Sequence, residues 1–391
     1  MNIAFFCIPA HGHTNPTLAV VRELTARGHT VRYYTTEAFR AKVEAAGAVF
    51  VPFDAEAARP GMTAADGARL GSDLTFSTRL IVDLTLAADH WLSREVTVHR
   101  PDVIVGDSMA FWAKLAAKKH GIPFVSSTTT FAFNRFSAKV IGQNGAGFLQ
   151  FLLAQPRINR QLKRLRAAGY AVKSVFDIIA NDNETETVVY TSPEFQPCAD
   201  TFSKKYHFVG PLLRPAQSSF EKLPGRSLIY ISLGTVNNDA LPFYRACLAA
   251  FGGDPRFQLV LSAGTQTDLA ALGPIPESCT VRASVDQMAV LDCADVFLTH
   301  CGMNSASEGL WHGLPLVLYP QTPEQHGVAN RVAALGAGVP LTDPSADGIR
   351  RAVEAALTDP SYRENAQKLA GSFRRCGGAA EAADAIEHAA N

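Results

Sequence analysis

Apolar residues along this chain fall into two alternating patterns, short continuous runs and longer stretches with helical spacing. Strands of a parallel sheet are buried on both faces and read as continuous apolar runs, whereas a covering helix is apolar on one side. The alternation predicts βαβ units with right-handed crossovers, so the expected fold class is α/β. The first predicted elements are strand 2–7, helix 17–27, strand 30–35, helix 37–46, strand 48–53, strand 101–107, helix 110–120, and strands 187–191 and 206–209.

The alternation starts again after a segment rich in proline, glycine and serine. Predicted strands follow at 227–232, 257–262, 279–282 and 296–298, with helices at 242–251, 362–376 and 379–389. We therefore expect two Rossmann-like doubly wound domains, an ordinary division for 391 residues. The expected boundaries are an N-terminal domain at 1–213, a linker at 214–225, a C-terminal domain at 226–373 and a terminal helix at 374–391.

The composition narrows the range of partners. Lysine plus arginine and aspartate plus glutamate each number 36, so no overall field attracts nucleic acid or an anionic membrane. The 7 cysteines include no Cys-x-x-Cys pair and no zinc-like spacing, which is typical of a reducing cytosol. The first apolar run has no basic segment before it and stops at Pro9, which indicates a buried strand and not a signal peptide. We expect a cytoplasmic monomer or dimer with no membrane insertion and with neutral small-molecule partners.

One segment joins a strand to a helix in a way that suits an anionic ligand. The apolar run 296–298 stops at Thr299, and helix-compatible residues follow from Ser305. Open α/β sheets bind ligands at the carboxyl ends of their strands. A turn at Gly302 lets the backbone approach a ligand, and Asn304 and Ser305 offer N–H groups and side chains at a helix N-terminus. We expect a phosphate or diphosphate site here.

Further polar side chains lie near this predicted site. Glu308 follows Asn304 by about one helical turn, so it projects from the same face and can accept hydrogen bonds from ribose hydroxyls. After the next apolar strand, two prolines turn the chain and present Glu324 and Gln325, which suit a second set of hydroxyls. Thr235 follows another strand and a glycine turn, and it either donates to a phosphate or belongs to a simple tight turn.

Two histidines after the first strand suggest acid–base chemistry. His11 and His13 lie in a predicted loop, and Asn15 with Pro16 is expected to start the following helix. An arbitrary loop histidine is more often a solvated or capping residue, but this loop lies where α/β sheets bind ligands. A base needs an orienting partner, and Asp107 at the end of a predicted strand is the candidate. Alternatively, Asp107 caps the helix that follows.

Two further patterns each have two interpretations. Residues 106–110, Gly-Asp-Ser-Met-Ala, approximate the nucleophile elbow Gly-x-Ser-x-Gly, which would make Ser108 the nucleophile of an α/β hydrolase. Against this, the last glycine is replaced by alanine, and a hydrolase has no use for the phosphate site. Phe131, Phe133 and Phe136 either line an apolar acceptor pocket or are ordinary core residues.

The segment that contains the expected phosphate site resembles a known signature. From Asp286-Gln287 to Glu324-Gln325 it resembles the donor-binding signature of family 1 glycosyltransferases, especially bacterial macrolide- and flavonoid-type enzymes. The resemblance extends to both ends of the chain. It implies the GT-B fold, in which two Rossmann-like domains face each other across a cleft and the terminal helix packs back on the N-terminal domain.

The resemblance also implies roles for individual residues. The contacts to the donor's diphosphate would be His300, Gly302, Asn304, Ser305 and, from a Ser-Leu-Gly-Thr loop, Thr235. Glu308 would hold the ribose, and Glu324 with Gln325 the transferred sugar. Glu324 departs from the usual Asp. A second departure is Ser-Val-Asp-Gln at 284–287 in place of aromatic-x-Pro-Gln, which leaves Val285 and Gln287 as the expected contacts to the base.

The motif Gly12-His13-x-Asn15-Pro16 matches the family's catalytic loop, which makes His13 the base, while His11 remains an ordinary loop residue. The family pattern also places an Asp at position 107. The implied reaction transfers a hexose from a UDP-sugar to a hydroxyl of a small apolar natural product, with inversion and without a metal ion. The expected hexose is glucose. The UDP-sugar is a co-substrate, and no cofactor is expected.

The expected metal independence has a chemical reason. The chain has no Asp-x-Asp, and the diphosphate would be neutralised by His300, Thr235, Asn304, Ser305 and the helix N-terminus. Two alternatives keep the same donor site. A TDP-deoxysugar could replace the UDP-sugar, or the protein could bind a nucleotide sugar without catalysis.

Overall fold

The structure, a computed structural model, describes residues 1–53, 73–134, 136–137, 147–179, 181, 183–235 and 238–391. The chain folds into two compact units. Unit 1 comprises Met1–Tyr190, Cys198–Leu212 and Gly377–Asn391, and unit 2 comprises Thr191–Pro197 and Leu213–Cys376. Thr191–Pro197 therefore belongs to unit 2, although it lies inside the range 1–213 that the sequence assigns to the N-terminal domain.

Unit 1 is built on a parallel sheet. Its strands are β1 (Asn2–Phe6), β2 (Thr30–Thr35), β3 (Val49–Pro52), β4 (Val103–Asp107), β5 (Phe124–Thr128), β6 (Glu186–Val189) and β7 (Tyr206–Phe208). Within the described residues the order across the sheet is β3-β2-β1-β4-β5-β6-β7. Because β1 pairs with both β2 and β4, the strand order changes direction between β1 and β4, which is where such sheets bind ligands.

The helices of unit 1 differ in one important respect from the prediction. They begin with α1 (His11–Ala26), α2 (Arg40–Ala45), α3 (Leu74–His99), α4 (Phe111–His120), α5 (Gly147–Ala167) and α6 (Phe176–Ile179), and short 3-10 turns lie at Glu37–Phe39 and Ala199–Thr201. α1 begins at His11 and not at residue 17, because the Ala10 carbonyl accepts hydrogen bonds from His13 and Thr14. The expected helix start at Asn15 and Pro16 is wrong; Pro16 lies inside α1, where it removes a single hydrogen bond.

Strand β5 was not predicted from the sequence. Its residues, Phe-Val-Ser-Ser-Thr, are largely buried, but serine and threonine interrupt the apolar run that marks the other strands. The hydroxyls are satisfied locally, for example by a hydrogen bond of 2.9 Å between Ser127 and Tyr190. A strand that buries hydroxyl groups is therefore invisible to a pattern based on apolar residues alone.

Unit 2 repeats the architecture. Its strands are β8 (Ser227–Ser232), β9 (Phe257–Ser262), β10 (Cys279–Arg282), β11 (Val296–Thr299), β12 (Leu316–Leu318) and β13 (Gly338–Pro340). In the part of the chain that the structure describes, these parallel strands have the order β10-β9-β8-β11-β12-β13. The helices are α7 (Leu241–Phe251), α8 (Gln287–Leu291), α9 (Met303–Trp311), α10 (Pro323–Ala334), α11 (Ala346–Thr358) and α12 (Pro360–Arg374), with a 3-10 turn at Leu269–Leu272. The prediction of two Rossmann-like α/β domains is confirmed.

The last helix, α13 (Gly378–Ala390), belongs to the core of unit 1. Ala382 and Ile386 are buried in the same apolar cluster as Phe5. Arg27 fixes the helix from outside through ion pairs to Asp384 at 2.6 Å and to Glu387 at 3.0 Å. No helix among the residues described above is long and apolar enough to cross a membrane.

Candidate functional site

The candidate catalytic residues of unit 1 lie where its strand order changes direction. β1 pairs with β4 so that Phe6 lies beside Gly106, and the chain therefore brings the start of α1 next to the end of β4. His13 belongs to the first turn of α1, and Asp107 is the last residue of β4. His13 Nδ1 lies 2.7 Å from Asp107 Oδ2. The structure thus brings the predicted base into hydrogen-bond contact with its predicted partner.

Both oxygens of Asp107 are engaged. The Asp107 side chain is inaccessible to solvent, whereas the His13 side chain is 17 % exposed. Oδ1 accepts a hydrogen bond of 2.8 Å from the Met109 N–H. The N-cap of α4 is Ala110, without a side-chain cap, so the alternative in which Asp107 caps this helix is wrong. When Asp107 Oδ2 accepts the hydrogen bond, the imidazole proton lies on Nδ1 and the lone pair on Nε2.

A third residue, which the sequence did not identify, contacts the same histidine nitrogen. Thr129 follows β5 directly, is 2 % exposed, and places Oγ1 3.0 Å from His13 Nδ1. Because the Nδ1 proton serves Asp107, the Thr129 oxygen is a second acceptor at this nitrogen. Together the two oxygens hold the ring in one orientation. The signal available in the sequence was the run Ser-Ser-Thr-Thr-Thr at 126–130, whose β-branched residues favour a strand.

Neutral groups surround the Asp107 carboxylate. Burial raises the pKa of Cys7 and of Tyr190 well above their usual range, and the charge of Asp107 adds to both shifts. Cys7 Sγ lies 3.7 Å from Thr14 Oγ1. The thiol and the phenol therefore remain uncharged near pH 7, and neither competes with Asp107 for the imidazole.

The other histidine of the first turn has a different environment. His11 is exposed, and Lys42 Nζ lies 3.4 Å from its Nδ1. Partial desolvation of the ring by its neighbours and the charge of Lys42 lower the pKa of His11, so it is neutral at physiological pH. Lys42 also donates a hydrogen bond of 3.1 Å to Asn15 Oδ1. The Lys42 side chain therefore contacts both His11 and Asn15 on the surface of α1.

The remaining candidate residues of unit 1 are the three phenylalanines and Ser108, and the phenylalanines differ in their exposure to solvent. Phe131 is buried, whereas Phe133 and Phe136 are 47 % and 42 % exposed. The two exposed rings follow Thr129 closely along the chain and remain candidates for an acceptor pocket. Ser108 donates its backbone N–H to Ser127, and no hydrogen bond joins it to a histidine in the described ranges. The hydrolase arrangement is therefore missing its base.

Unit 2 has an equivalent position between β8 and β11. These strands pair so that Ser232 lies beside Thr299, and His300 follows directly. The His300 ring packs between two glycines. A Cβ added to Gly234 would lie 2.6 Å from the ring, and a Cβ added to Gly302 would lie 2.5 Å from Nε2. Neither position accepts a larger residue unless His300 moves.

The tight turn after β11 is made by Cys301 and not by Gly302. Cys301 has a φ of 63°, in the left-handed region, whereas Gly302 has a φ of −59°. The Cys301 N–H donates to Thr299 Oγ1 at 3.2 Å, which stabilises the unusual backbone. The prediction that Gly302 supplies the turn is therefore wrong; its missing side chain leaves room for the imidazole of His300.

His300 is uncharged at neutral pH. Burial lowers its pKa to about 4, and a backbone group of Ser232 opposes this shift only in part. A neutral imidazole still donates one N–H, so the predicted contact of His300 to a diphosphate would be a hydrogen bond and not an ion pair. The positive potential at this position comes from the N-terminus of α9.

The first turn of α9 presents the predicted anion-binding residues. α9 begins at Met303, with Gly302 as N-cap and no side-chain cap. Asn304 and Ser305 are half-buried in this turn, and the backbone N–H groups of a first helical turn point toward the N-terminal end of the helix. Thr235 is exposed and follows Gly234, the glycine that packs on His300. These residues can bind a phosphate group by hydrogen bonds and by the helix dipole.

Glu308 is held by a chain of hydrogen bonds further along α9. Tyr230 donates its hydroxyl to Gln287 Oε1 at 2.9 Å, and Gln287 Nε2 donates to Glu308 Oε2. Burial raises the pKa of Glu308, while the Gln287 hydrogen bond and the charge of Arg214 lower it in part. The Gln287 amide thus accepts a hydrogen bond from Tyr230 and donates one to Glu308. These contacts fix Glu308 in a position suited to accepting hydrogen bonds from hydroxyl groups.

The start of α10 contains the residues predicted to contact the sugar. Gln325 Oε1 accepts hydrogen bonds from the N–H groups of Gln321 at 2.8 Å and Thr322 at 3.2 Å. Gln325 therefore closes a capping box, and its amide NH2 is the part directed to other contacts. Glu324 is exposed beside it, and Val285 is half-buried before α8. Within the ranges that the structure describes, no three His, Cys, Asp or Glu side chains form a metal site.

The chain is similar over its whole length to known enzymes. Residues 269–374 match the family described as UDP-glucoronosyl and UDP-glucosyl transferase. NDP-glycosyltransferase YjiC of Bacillus licheniformis is 33% identical over 395 residues, which cover 99% of this chain and 97% of that protein. Demethyllactenocin mycarosyltransferase of Streptomyces fradiae is 33% identical over 99% of this chain and 86% of its own length. A crystal structure of the glycotransferase of kitacinnamycin, 30% identical, matches with a TM-score of 0.86 over 99% of this chain and 98% of that chain.

These similarities agree with the two parallel-sheet units and with the residues placed at their strand ends. The chain has the GT-B fold and belongs to the family 1 glycosyltransferases.

Proposed function

We propose that this glycosyltransferase moves glucose from a UDP-sugar to a hydroxyl of a small apolar natural product, with inversion and without a metal ion. The observation that carries the proposal is the contact of 2.7 Å between His13 Nδ1 and Asp107 Oδ2. This contact sets up a general base in unit 1. The N-terminus of α9 with Glu308 in unit 2 supplies the donor-binding residues.

The transfer step follows from this arrangement. His13 Nε2 takes the proton of the acceptor hydroxyl, and the oxygen forms a bond to the anomeric carbon of the sugar. The bond from that carbon to the diphosphate breaks, and its electron pair leaves with the nucleoside diphosphate. Asp107 stabilises the imidazolium that forms. Attack opposite the leaving group inverts the anomeric centre.

The leaving group explains why one base is sufficient. A glycosidase has to protonate a poor leaving group and therefore needs a second carboxyl group. A nucleoside diphosphate leaves as an anion, which the N–H groups of α9 with Asn304 and Ser305 stabilise by hydrogen bonds and by the dipole. A neutral His300 adds one further N–H donor.

The identity of the donor rests on Glu308. A carboxylate fixed by Gln287 suits the paired 2′ and 3′ hydroxyls of a ribose, which favours UDP over a deoxyribose nucleotide. A TDP-deoxysugar is the second candidate, because one relative is named for mycarosyl transfer. The exposed Phe133 and Phe136 favour an apolar acceptor of the macrolide, flavonoid, sterol or terpenoid type.

The test is to replace His13 with alanine and measure turnover on two acceptors at saturating donor. Loss of a general base reduces turnover by roughly 10²–10⁴-fold. We expect the larger loss with an aliphatic alcohol, because an acidic phenol is already partly ionised near neutral pH. UDP affinity should remain unchanged.

The matched control is His11→Ala, which removes the other histidine of the same helical turn. It should leave turnover on both acceptors unchanged. An equal loss for the phenol and the alcohol in His13→Ala would show that His13 positions the substrate and does not take its proton. Unchanged turnover would remove His13 from the mechanism altogether, whereas a wild-type protein that binds UDP but has no turnover would favour a protein that binds a nucleotide sugar without catalysis.

A further inference from the structure

Asp286 anchors the segment that leads into unit 2. Its Oδ1 accepts a hydrogen bond of 3.0 Å from Arg214. Its Oδ2 accepts from the N–H groups of Gln217 at 2.6 Å and Ser218 at 2.9 Å, and from the Ser218 hydroxyl at 3.2 Å. Burial opposes ionisation of Asp286, but the N–H groups of Gln217 and Ser218 and the charge of Arg214 together lower its pKa. One carboxylate therefore fixes a whole turn of chain, residues 214–218, beside the start of α8.

This anchored turn lies next to the residues that hold Glu308. Asp286 precedes Gln287, and Gln287 Nε2 donates to Glu308. Burial raises the pKa of both Glu308 and Tyr230, and the charge of Arg214 opposes both shifts in part. Its side chain is 41 % exposed, so part of the guanidinium faces away from the protein. A planar cation is thus fixed at the edge of the ribose site.

The order of the ligand along α9 indicates which part of it would reach Arg214. Asn304 at the N-terminus suits the diphosphate, and Glu308 about one turn later suits the ribose. The base is the group that a nucleotide carries on the other side of its ribose from the phosphates. Arg214 is linked to the Glu308 end of this order through Asp286 and the neighbouring Gln287, and this is the end at which the base is expected.

We propose that Arg214 is a donor-binding residue whose guanidinium contacts the base of the nucleotide, and that Asp286 positions Arg214. This inference rests on the proposed function. A guanidinium suits this role because its plane stacks on aromatic rings and its N–H groups donate to the carbonyl oxygens of a pyrimidine. The hydrogen bond to Asp286 uses one N–H and leaves the others for the ligand. The ligand class is a pyrimidine nucleoside diphosphate.

The test compares the inhibition constants of UDP and ADP against nucleotide-sugar turnover. The wild-type protein should bind UDP more tightly than ADP, and Arg214→Ala should reduce this preference by about 10-fold or more, as expected for loss of charged hydrogen bonds. Arg214→Lys keeps the positive charge but lacks the planar guanidinium, so it should recover little of the preference for UDP over ADP. Asp286→Asn leaves Arg214 in place but weakly held, and should have a smaller effect.

Arg226→Ala is the matched control, because it removes the same charge just before β8, at the opposite end of that strand from the ligand. It should leave both inhibition constants unchanged. Equal binding of UDP and ADP by the wild type, or an equal loss for both in Arg214→Ala, would overturn the inference. Glu308→Ala distinguishes failure of this inference from failure of the proposed donor site. If Glu308→Ala weakens UDP binding and Arg214→Ala does not, only the inference about Arg214 fails. If neither variant weakens UDP binding, the proposed donor site fails as well.

A pH profile supplies a readout that a purely structural role would not affect. Glu308 binds hydroxyls best as a carboxylate, and it faces Gln287, Tyr230 and the charge of Arg214. Removing that positive charge favours the protonated acid. In Arg214→Ala the loss of UDP affinity on the acid side should therefore begin at a higher pH than in the wild type. An unshifted profile would show that Arg214 does not act on the ribose site.

Discussion

The two units use the same topological position for opposite purposes. In unit 1, the strand ends at β1 and β4 bring together His13 and an inaccessible carboxylate, Asp107. In unit 2, the strand ends at β8 and β11 bring together His300 and two glycines. His13 contacts a carboxylate, whereas His300 packs between two residues that have no side chain.

The difference fits the two roles that we propose for these histidines, a general base for His13 and a diphosphate contact for His300. A base that takes up a proton needs a nearby negative charge to stabilise the cation that forms. A residue beside a diphosphate would lose binding energy if a carboxylate stood next to it, because the two anions repel. Burial without an ionic partner therefore leaves His300 neutral, with a pKa of about 4, and the helix N-terminus supplies the field.

The strongest way to break this comparison is to remove the acid from unit 1. Asp107→Asn keeps the shape of the side chain but loses the charge that supports the imidazolium. Turnover should fall by about 10²–10³-fold, with unchanged affinity for UDP. Steady-state kinetics with an alcohol acceptor, together with UDP calorimetry, measures both quantities.

Thr129→Val is the control for that experiment, since it removes the other oxygen at His13 Nδ1 without changing charge. Its effect on turnover should be about 10-fold or less. If Thr129→Val and Asp107→Asn reduced turnover equally, orientation of the ring and not charge would explain the role of both residues.

The comparison can be sharpened in unit 2 by filling the space beside His300. Gly302→Ala adds a Cβ that would lie 2.5 Å from Nε2, so the ring must move and the phosphate contacts shift. Overpacking of this kind costs about 1–3 kcal/mol, and UDP affinity should fall by about 10–100-fold. Calorimetry at pH 7 measures the change.

Gly371→Ala serves as the matched control, because its Cβ would meet Arg375 at 3.5 Å, an ordinary contact, within α12 of the same unit. It should leave UDP affinity unchanged and should not lower the melting temperature. Full UDP affinity in Gly302→Ala would show that His300 does not need its observed position.

The smallest effect concerns the pH dependence of stability. His300 has a pKa of about 4 in the folded protein against 6.5 for an unperturbed histidine, so between these values the unfolded chain binds a proton that the folded chain does not. Stability therefore falls as the pH falls from about 6.5 to about 4. Between pH 7 and pH 5 the wild type should lose about 1–2 kcal/mol more than His300→Gln. Urea unfolding at both pH values measures the difference, and identical losses would contradict the burial of a neutral His300.

The sequence predicted the parts of the site that follow from the ends of apolar strands. Asp107, Thr235 and His300 all come directly after or at the end of a run of buried apolar residues, and parallel strands bring such ends to one edge. Their neighbourhood was therefore accessible from the pattern alone. The choice of His13 over His11 came from the resemblance to the family, because both histidines follow the same strand.

The parts that were missed depend on packing between distant segments. Thr129 follows a strand whose buried hydroxyls hide it from an apolar pattern, and its partner His13 lies 116 positions away. The role of Gly302 depends on where the His300 ring points, and its φ is not a property of the local sequence. Asp286 reads as a departure from the family's pattern, but its bonds to residues 214–218 exist only once the chain has folded.

The position of α13 has a consequence for biosynthesis. Its buried residues belong to the same cluster as Ile3 and Phe5 of β1, so the ribosome makes the strands of this core long before the helix that completes it. All of Leu213–Cys376 emerges in between, which at cellular rates takes on the order of ten seconds or more. Throughout that interval the apolar residues of unit 1 that pack against α13 have no α13 to cover them.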